Sequence, residues 1–434
     1  MSDGSDRRIE LLAPAGNEET LRTAIRYGAD AVYLGGEQLS LRARAQGFSV
    51  PGILDACRTA HENGVRVYVT ANIYASDTDI RTAEAFFTAL SEAAERERPD
   101  ALLIADPGML VTAKRFAPGI PVHLSTQANT TNAESCRFWM EHAGIRRFVL
   151  ARELSLERIA AIRSELPEEA TLECFVHGAM CISYSGKCLL SRAMTGREAN
   201  RGACAHPCRY DYALLEEKRP GEYFPVEESD IGTQILASDD LCMLAHLPEL
   251  AASGAGSLKI EGRMKNALYV AAVTRAYRLA IDAIAADPAG ERYRRILPAL
   301  LGEVRLAATR PLSTGFYFAE GTAGAAERLE PAGQPVCFLG VVEEALPDGR
   351  FTIRHRNRFA VGEQLVIMKK PERGTPQESG LPADPVRRVA SIAGADGVPA
   401  DAAIHPGECY TVTVERIGEE FPAEAGDVLY RAAG

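Results

Sequence analysis

Short apolar segments that end in a glycine or a polar residue recur along the first two thirds of the chain. Eight of them have the length and the β-branched content of buried strands: residues 10–13, 31–34, 65–70, 101–105, 121–125, 147–150, 171–176 and 257–260. Apolar residues at helical spacing follow most of these segments and predict helices at residues 17–27, 53–63, 78–96, 132–143 and 155–166.

The alternation of strands with helices predicts right-handed βαβ units and therefore a parallel sheet. Eight such units make an α/β fold of the TIM-like (β/α)8 barrel type, which takes about 250 residues, and we predict it over residues 1–289. An open doubly wound sheet is the alternative, but no glycine-rich dinucleotide motif joins a strand to a helix here. Residues 179–254 separate the seventh strand from the eighth, and a barrel would place this insertion at its catalytic face.

The pattern changes after about residue 290. Residues 290–334 are mixed and become rich in glycine, alanine and proline, which predicts a helical or irregular linker. Residues 335–434 contain short strands separated by turns, a pattern typical of a small antiparallel β-barrel domain. The predicted strands are residues 336–344, 350–356, 364–368, 386–392, 408–414 and 427–431.

Composition limits the classes of protein that remain. The 434 residues include 46% hydrophobic and 25% charged ones, which is ordinary for a globular protein. The net charge of −11 does not favour nucleic acid over the whole surface, so an RNA partner would need a local basic region. The chain has neither an apolar run of about 20 residues nor a secretory signal, and we therefore expect a cytoplasmic protein without a membrane segment.

Ten cysteines are unusual for a chain of this kind, because stable disulfides are rare in the cytosol. Cys181, Cys188, Cys204 and Cys208 lie in one glycine-containing segment, and Cys242 follows later. Thiolates select zinc or iron–sulfur clusters. The spacing matches neither the paired knuckles of a zinc ribbon nor a ferredoxin run, so it predicts a metal site without choosing the metal. Buried structural cysteines are the alternative.

Polar residues that follow the predicted strands would meet at the barrel mouth, where TIM-barrel enzymes carry their catalytic groups. Lys259 and Arg263 are candidates for binding a small carboxylate, since a guanidinium pairs with carboxylates through two hydrogen bonds. His177 is a candidate proton carrier. A structural ion-pair network is the alternative for the charged members of this set. The full set is Asn72, Asp106, Gln127, Arg152, Glu153, His177, Lys259, Glu261 and Arg263.

Basic residues cluster in two regions that could contact phosphates. One surrounds the cysteines and contains Arg192, Arg197, Arg201 and Arg209. The other lies in the C-terminal part and contains Arg354, His355, Arg356, Arg358, Lys369, Lys370 and Arg373. Phe351 and Phe359 flank the first four residues of the second region, from Arg354 to Arg358, and could stack on bases. An ordinary exposed β-ribbon would give the same pattern.

Five segments carry a resemblance to a known family. They are ECFVHGAMCISYSGKCLLS at residues 173–191, ELLAPAGN at 10–17, ADAVYLGG at 29–36, HLSTQ at 123–127 and SLKIEGRMK at 257–265. On these segments the chain resembles the collagenase-like peptidase family U32, and within it the branch that hydroxylates tRNA. The resemblance covers the predicted barrel and, more weakly, the C-terminal domain.

The resemblance implies a specific cofactor and reaction. It implies an oxygen-sensitive [4Fe–4S] cluster on Cys181, Cys188 and Cys204, with Cys208 as the preferred fourth ligand and Cys242 as its competitor; zinc is the alternative metal. The implied reaction is hydroxylation of the wobble uridine of tRNA to 5-hydroxyuridine, with prephenate, a small dicarboxylate metabolite, as co-substrate. The family pattern assigns no catalytic residue, so His177, Lys259, Glu261 and Arg263 stay candidates.

The sequence also allows other functions. A collagenase-like peptidase would use Ser185 or His177, although the sequence lacks the HExxH and GxSxG motifs of known proteases. Relatives act on ribosomal RNA or on ubiquinone precursors, and the domain after residue 335 argues against the ubiquinone type. A non-catalytic RNA-binding scaffold with a structural metal is the last alternative.

Overall fold

Strands and helices alternate through the first part of the chain as predicted. The computed structural model describes residues 9–41, 47–181, 183, 188–197, 199, 203–209, 213–215, 223–225, 239–318, 329, 336–346, 349–372, 382, 384–415 and 423–432. The first strands are β1 (Glu10–Pro14), β2 (Ala31–Gly35), β3 (Arg66–Thr70), β4 (Ala101–Ile104), β5 (Val122–Leu124), β6 (Arg147–Val149) and β7 (Thr171–Ala179). The helices between them are α1 (Glu18–Arg26), α2 (Val50–Glu62), α3 (Asp77–Glu92), α4 (Pro107–Phe116), α5 (Ala133–Ala143) and α6 (Leu156–Ser164).

Polar residues at the ends of the strand–helix loops start these helices. The side chains of Asn17, Ser76 and Asn132 each accept a hydrogen bond from the backbone three residues ahead, which satisfies amide groups that would otherwise lack a partner. Asp106 does the same for α4. Helix α4 was missing from the prediction, although Asp106 followed by Pro107 is typical of a helix start.

The insertion returns to the sheet before the barrel closes. It contains α7 (Leu190–Thr195), β8 (Ala213–Leu215), β9 (Tyr223–Pro225), β10 (Asp240–Cys242) and α8 (Leu247–Ala252), and β11 (Ala255–Ile260) follows. β11 pairs in parallel with both β1 and β7, so eight parallel strands form a closed barrel and the predicted fold is confirmed. β10 pairs antiparallel with β7 as an addition to the barrel sheet.

The segment expected to be a linker begins with a helix of the barrel. After β11 come α9 (Ala267–Ala286), α10 (Glu291–Ala307) and β12 (Leu312–Ser313), which pairs with β10. The predicted helical or irregular linker over residues 290–334 contains α10, and Tyr293, Ile296, Leu300 and Val304 of this helix are buried in the barrel's apolar core. Their helical spacing is interrupted in the sequence by arginines and by Pro298, which hid the amphipathic pattern.

The C-terminal region forms the predicted antiparallel barrel. Its strands are β13 (Val336–Ala345), β14 (Arg350–His355), β15 (Phe359–Ala360), β16 (Gln364–Met368), β17 (Val386–Ala393), β18 (Pro399–Ala400), β19 (Ala402–Ala403), β20 (Cys409–Val414) and β21 (Val428–Ala432). Six of them run in the order β16-β21-β13-β14-β20-β17, and pairing of β16 with β17 closes the ring. An apolar core of its own fills the interior.

The two barrels pack through a separate apolar cluster. Tyr27, which follows the last residue of α1, and one face of α9 contact Phe338, Met368 and Tyr430 of the C-terminal barrel. The Tyr27 hydroxyl donates to the Met368 carbonyl at 2.7 Å and accepts from the Val428 amide at 3.1 Å. The helices α1 and α9 therefore fix the C-terminal barrel against one side of the larger barrel.

Candidate active site at the barrel mouth

Charged side chains occupy the lower interior of the barrel, where branched apolar residues are usual. Arg147 donates to Glu173 at 2.8 Å and to Ser257 at 2.6 Å, and it also pairs with Glu10. Burial by itself raises the pKa of the Glu173 carboxyl, but the charges of Lys259 and Arg147 outweigh burial and lower the pKa to about 2. Glu173 is therefore ionised at neutral pH.

Lys259 belongs to this buried network. Its ammonium donates to Glu173 at 2.8 Å and lies 4.5 Å from the centre of the Tyr33 ring. Burial lowers the pKa of Lys259, and the Glu173 carboxylate opposes that shift. The structure thus places Lys259 in the ion-pair network that was the alternative to carboxylate binding, and a bound carboxylate would have to share this ammonium with Glu173.

A second set of polar groups lies one layer nearer the mouth. Glu261 is 3.4 Å from the Arg152 guanidinium and 3.5 Å from the Tyr33 hydroxyl. The Arg152 guanidinium also stacks on the Phe175 ring at 3.9 Å. These contacts hold the Arg152 guanidinium in a partly buried position, and Glu261 and the Phe175 ring set its orientation.

Arg263 is fixed by residues from other strands. Its Nη1 donates to the hydroxyls of Ser40 at 2.7 Å and Thr70 at 3.0 Å. A side chain at Gly35 would collide with this Nη1, so only glycine leaves room for the guanidinium. Arg263 is 8% exposed. The geometry gives a positioned cation at the mouth, and carboxylate binding by it stays a prediction.

His177 lies in the core beneath the mouth. Its Nδ1 is 3.4 Å from the Tyr277 hydroxyl, which donates to the Val176 carbonyl at 2.6 Å. Burial, with a smaller contribution from Lys265, lowers the pKa of His177 to about 3. The imidazole is therefore neutral at physiological pH, and a pKa this low makes it a weak base.

Three other residues predicted at the mouth hold loops. Asp106 caps α4 by accepting from the Met109 amide at 3.0 Å. Asn72 accepts from the Leu41 amide at 3.2 Å and donates to the Ser125 hydroxyl at 3.2 Å. Gln127 contributes its backbone carbonyl to the Tyr74 hydroxyl at 2.6 Å. These hydrogen bonds are structural, because each of them connects the end of a strand to a neighbouring loop or helix.

The structure adds two residues that the sequence did not indicate. The loop after β5 carries Asn129 in the left-handed region, with φ of 55°, and Thr130 next to it. Asn129 Oδ1 and Thr130 Oγ1 are buried and have no hydrogen-bond partner within the described residues. Buried polar groups normally find a partner, so this pair is a candidate for hydrogen bonding to a ligand. In the sequence, the run of asparagines and threonines predicts only a loop.

The cysteine segment folds back on itself. The Ala205 amide donates to the Ser191 hydroxyl of α7 at 3.0 Å, and Arg197 donates to the Ala203 carbonyl at 3.0 Å. The His206 amide donates to Cys204 Sγ at 3.4 Å, a contact of the kind that tunes the sulfurs of iron–sulfur proteins. This donor, together with free thiols at all the cysteines, suits thiolate ligation of a cluster.

The ligand set itself stays a prediction. Among the residues that the structure describes, no three His, Cys, Asp or Glu side chains are grouped so that they could hold a metal ion. Cys208 lies in the turn beside α7, whereas Cys242 lies in β10 opposite His177. Cys208 stays the predicted fourth ligand, with Cys242 as its competitor. Ser185, the candidate peptidase nucleophile, and Arg201 lie outside the described residues.

The C-terminal basic region differs from the expected base-stacking surface. Phe351 and Phe359 are buried in the core of the small barrel, so the prediction that they stack on bases is wrong. The His355 ring is also fully buried, beside Phe359 and Tyr410. Alternation along β14 explains this outcome, because Phe351, Ile353 and His355 point inward while Arg350 and Arg354 face outward. Arg373 lies outside the described residues.

Fold and site together define a TIM barrel with a cysteine-bearing insertion and a second, antiparallel barrel. The model of peptidase family U32 matches residues 16–327, and the chain belongs to that family. It is 39% identical to tRNA hydroxylation protein P1 of Bacillus subtilis over 363 residues, which are 83% of this chain and 83% of that protein.

Two further relatives show the range of names in the family. The chain is 42% identical to tRNA hydroxylation protein P of Helicobacter pylori (strain J99) over 279 residues, 63% of this chain and 65% of that protein. It is 34% identical to a protein named collagenase from Porphyromonas gingivalis over 285 residues, 63% of this chain and 66% of that protein. The matched segment thus spans just under two thirds of each of these two relatives. Within the described part of the chain, no helix is both long and apolar enough to cross a membrane.

Proposed function

We propose that this protein is a cytoplasmic RNA-modifying enzyme that hydroxylates the wobble uridine of tRNA to 5-hydroxyuridine, with prephenate as co-substrate. The observation that carries the proposal is the 39% identity to a tRNA hydroxylation protein over 83% of both chains. The polar barrel mouth supports it, because base chemistry needs a pocket that can receive an extruded or single-stranded nucleotide. In this proposal the positioned guanidiniums of Arg152 and Arg263 bind the carboxylates of the small acid.

A [4Fe–4S] cluster would be held by Cys181, Cys188 and Cys204, with Cys208 or Cys242 as the fourth ligand. Such a cluster supplies one-electron redox chemistry when it is bound. The protein's own groups would orient the substrates: Arg263 is held by Ser40 and Thr70, and the neutral His177 imidazole offers one nitrogen as a hydrogen-bond donor and the other as an acceptor. Two basic residues of the cysteine segment, Arg192 and Arg197, would favour an anionic substrate nearby.

The activity is tested by mass spectrometry of tRNA nucleosides from a strain that lacks this gene and any redundant enzyme. We expect 5-hydroxyuridine and its derivatives to disappear and to return with the wild-type gene. Complementation with Arg263→Gln should restore little modification, whereas the exposed-surface variant Arg388→Gln should restore it fully. Unchanged 5-hydroxyuridine in the deletion strain would exclude the proposed reaction.

The cofactor is tested on protein purified without oxygen. We expect a brown protein that contains iron and acid-labile sulfide. Comparison of Cys208→Ser with Cys242→Ser identifies the fourth ligand, because only the ligand variant should lose iron while the other keeps its content. A colourless protein with one zinc ion per chain would show that the proposed metal is wrong.

The name of the P. gingivalis relative favours a peptidase as the second candidate function. Gelatin cleavage by the anaerobic protein, abolished in His177→Ala, would support that function. Nucleoside analysis of ribosomal RNA in the same deletion strain tests hydroxylation of ribosomal RNA. Binding of tRNA without any change in its nucleosides would instead favour a non-catalytic scaffold.

A further inference from the structure

We propose that the groove between α1 and the C-terminal barrel binds the phosphodiester backbone of the RNA; this proposal rests on the proposed function. The groove has a volume of about 950 Å³. One wall is α1 with the end of α2, and the other consists of β13, β14 and the residues around Lys370 and Gly426. It is a cleft between the two barrels, so both contribute to any ligand that lies in it.

The groove concentrates exposed cations on a protein whose net charge is −11. Arg22, Arg26, Arg354, Arg356 and Lys370 line it together with Glu18, Glu19 and Glu343, and Glu424 and Asp427 pair with Lys370 and Arg26 beside it. Cations and carboxylates are therefore balanced, and RNA phosphates would bind here by replacing carboxylates at the cations. Arg354 of β14 and Arg356, which follows that strand, contribute two of these cations, and both belong to the C-terminal basic region predicted from the sequence.

Four of the cations are accessible to a ligand. The exposed fractions of their side chains are 62% for Arg22, 47% for Arg354, 37% for Arg356 and 50% for Lys370. Each pairs with a glutamate, and exposed ion pairs of this kind contribute little to stability. Phosphate oxygens can therefore replace the glutamates. Arg26 differs, because it is 15% exposed and pairs with the fully buried Asp427, which gives it a structural role.

The groove leads to the candidate active site. The start of α1, with Asn17 and Glu18, lines one end of it. This end of α1 follows β1 and so lies at the catalytic face of the barrel. Gly16 touches the backbone of Arg263 so closely that a side chain there would collide with the Arg263 carbonyl. A polynucleotide in the groove would therefore reach the mouth where Arg263 is held.

The proposal is tested by tRNA binding of the full-length protein, purified without oxygen, at several salt concentrations. Each phosphate contact contributes about 0.7–0.9 to the slope of log affinity against log salt. We expect Arg22→Gln, Arg354→Gln and Lys370→Gln each to weaken binding severalfold and to reduce the slope by about that amount. Glu18→Gln and Glu343→Gln should have the opposite effect and tighten binding, because they remove carboxylates that compete with phosphate.

Arg388→Gln is the matched control. Arg388 lies on β17 of the same small barrel, is 52% exposed and pairs with Glu415, but it does not line the groove. Its loss should leave the affinity and the slope unchanged. Melting temperatures of all variants should stay close to the wild type, since every substituted pair is exposed.

The outcomes separate this proposal from the proposed function. If the wild type binds tRNA and the groove variants keep its affinity and slope, the groove proposal is wrong while the function stands. If the groove variants bind tRNA normally but lose a dimer seen by sedimentation, the groove joins two copies of the chain instead. If the wild type does not bind tRNA and the deletion strain keeps its 5-hydroxyuridine, both proposals fail.

Discussion

Thr130 carries a buried hydroxyl for which the described residues offer no partner. An unsatisfied buried polar group costs about 1–3 kcal/mol. We expect Thr130→Val to leave the melting temperature unchanged or raised, while the KM for the RNA or for the small acid increases. Thermal unfolding and steady-state kinetics measure the two effects. A clear loss of stability would show that the hydroxyl already has a structural hydrogen-bond partner and is not available to a ligand.

Glu173 illustrates a buried charge whose role is structural. Its pKa is lowered to about 2, because Lys259 and Arg147 outweigh the effect of burial. The lowered pKa contributes stability that is present above about pH 4.5 and is lost as the pH falls towards 2. We expect Glu173→Gln to be less stable than the wild type at pH 7, by about 3–5 kcal/mol, and to lose less stability on acidification.

Denaturant unfolding at pH 7 and at pH 3 measures this difference. Gln replaces the carboxylate with a neutral group of nearly the same size, so the comparison isolates charge from volume. Equal acid sensitivity of the two proteins would mean that the network does not depend on the Glu173 charge. An ion-pair network was one of the two alternatives for Lys259, but its partners could not be predicted from the sequence, because Glu10, Arg147 and Glu173 meet Lys259 only after β1, β6, β7 and β11 have become neighbours.

At the scale of elements, predictability followed the clarity of the periodic pattern. The strands of both barrels were predictable since short apolar runs between turn residues leave few alternatives. Helix α4 was not predicted although Asp106 followed by Pro107 is typical of a helix start, and the bounds of α10 were not because Pro298 lies inside it, where proline usually interrupts a helix. Tertiary packing overrides that local preference when an apolar face has a core to cover.

Helix α10 provides a test of whether packing against the core stabilises a helix that contains proline. Leu300 is fully buried on the side of α10 that packs against the barrel. We expect Leu300→Ala to destabilise the protein by about 2–5 kcal/mol, through lost burial and the cavity that remains. Arg295→Ala, on the exposed face of the same helix, is the control and should change stability by less than about 0.5 kcal/mol. If both substitutions change stability by equally small amounts, α10 does not contribute to the barrel core and the segment acts as a linker only.

At the scale of the whole molecule, the contact between the barrels combines apolar packing with buried ion pairs. Arg275 of α9 donates to Asp384 at 2.8 and 2.7 Å and to Glu303 of α10 at 2.6 Å. Lys369 and Arg26 both pair with buried Asp427 nearby. The sequence predicted two domains but not this contact, since its charged members come from distant parts of the chain.

Glu303 makes this contact sensitive to pH. Burial raises the pKa of its carboxyl to about 7, and the Arg275 guanidinium, which also serves Asp384, only partly opposes that shift. A raised pKa means that the folded protein holds the proton more tightly than the unfolded chain does. The resulting stability is present below about pH 4.5, decreases as the pH rises through 7, and amounts to about 3 kcal/mol for a shift of this size.

Glu303→Gln removes this titration while keeping a neutral side chain that can accept a hydrogen bond from Arg275. We expect the variant and the wild type to have similar melting temperatures at pH 5, where the Glu303 carboxyl of the folded protein is protonated. At pH 8 the variant should be the more stable of the two, because the wild type must then keep a buried carboxylate that shares its guanidinium with Asp384. Melting curves at both pH values measure this difference. If the wild type and the variant are equally stable at pH 8, Arg275 fully compensates the charge of Glu303. The contact between the barrels would then not respond to pH through this residue.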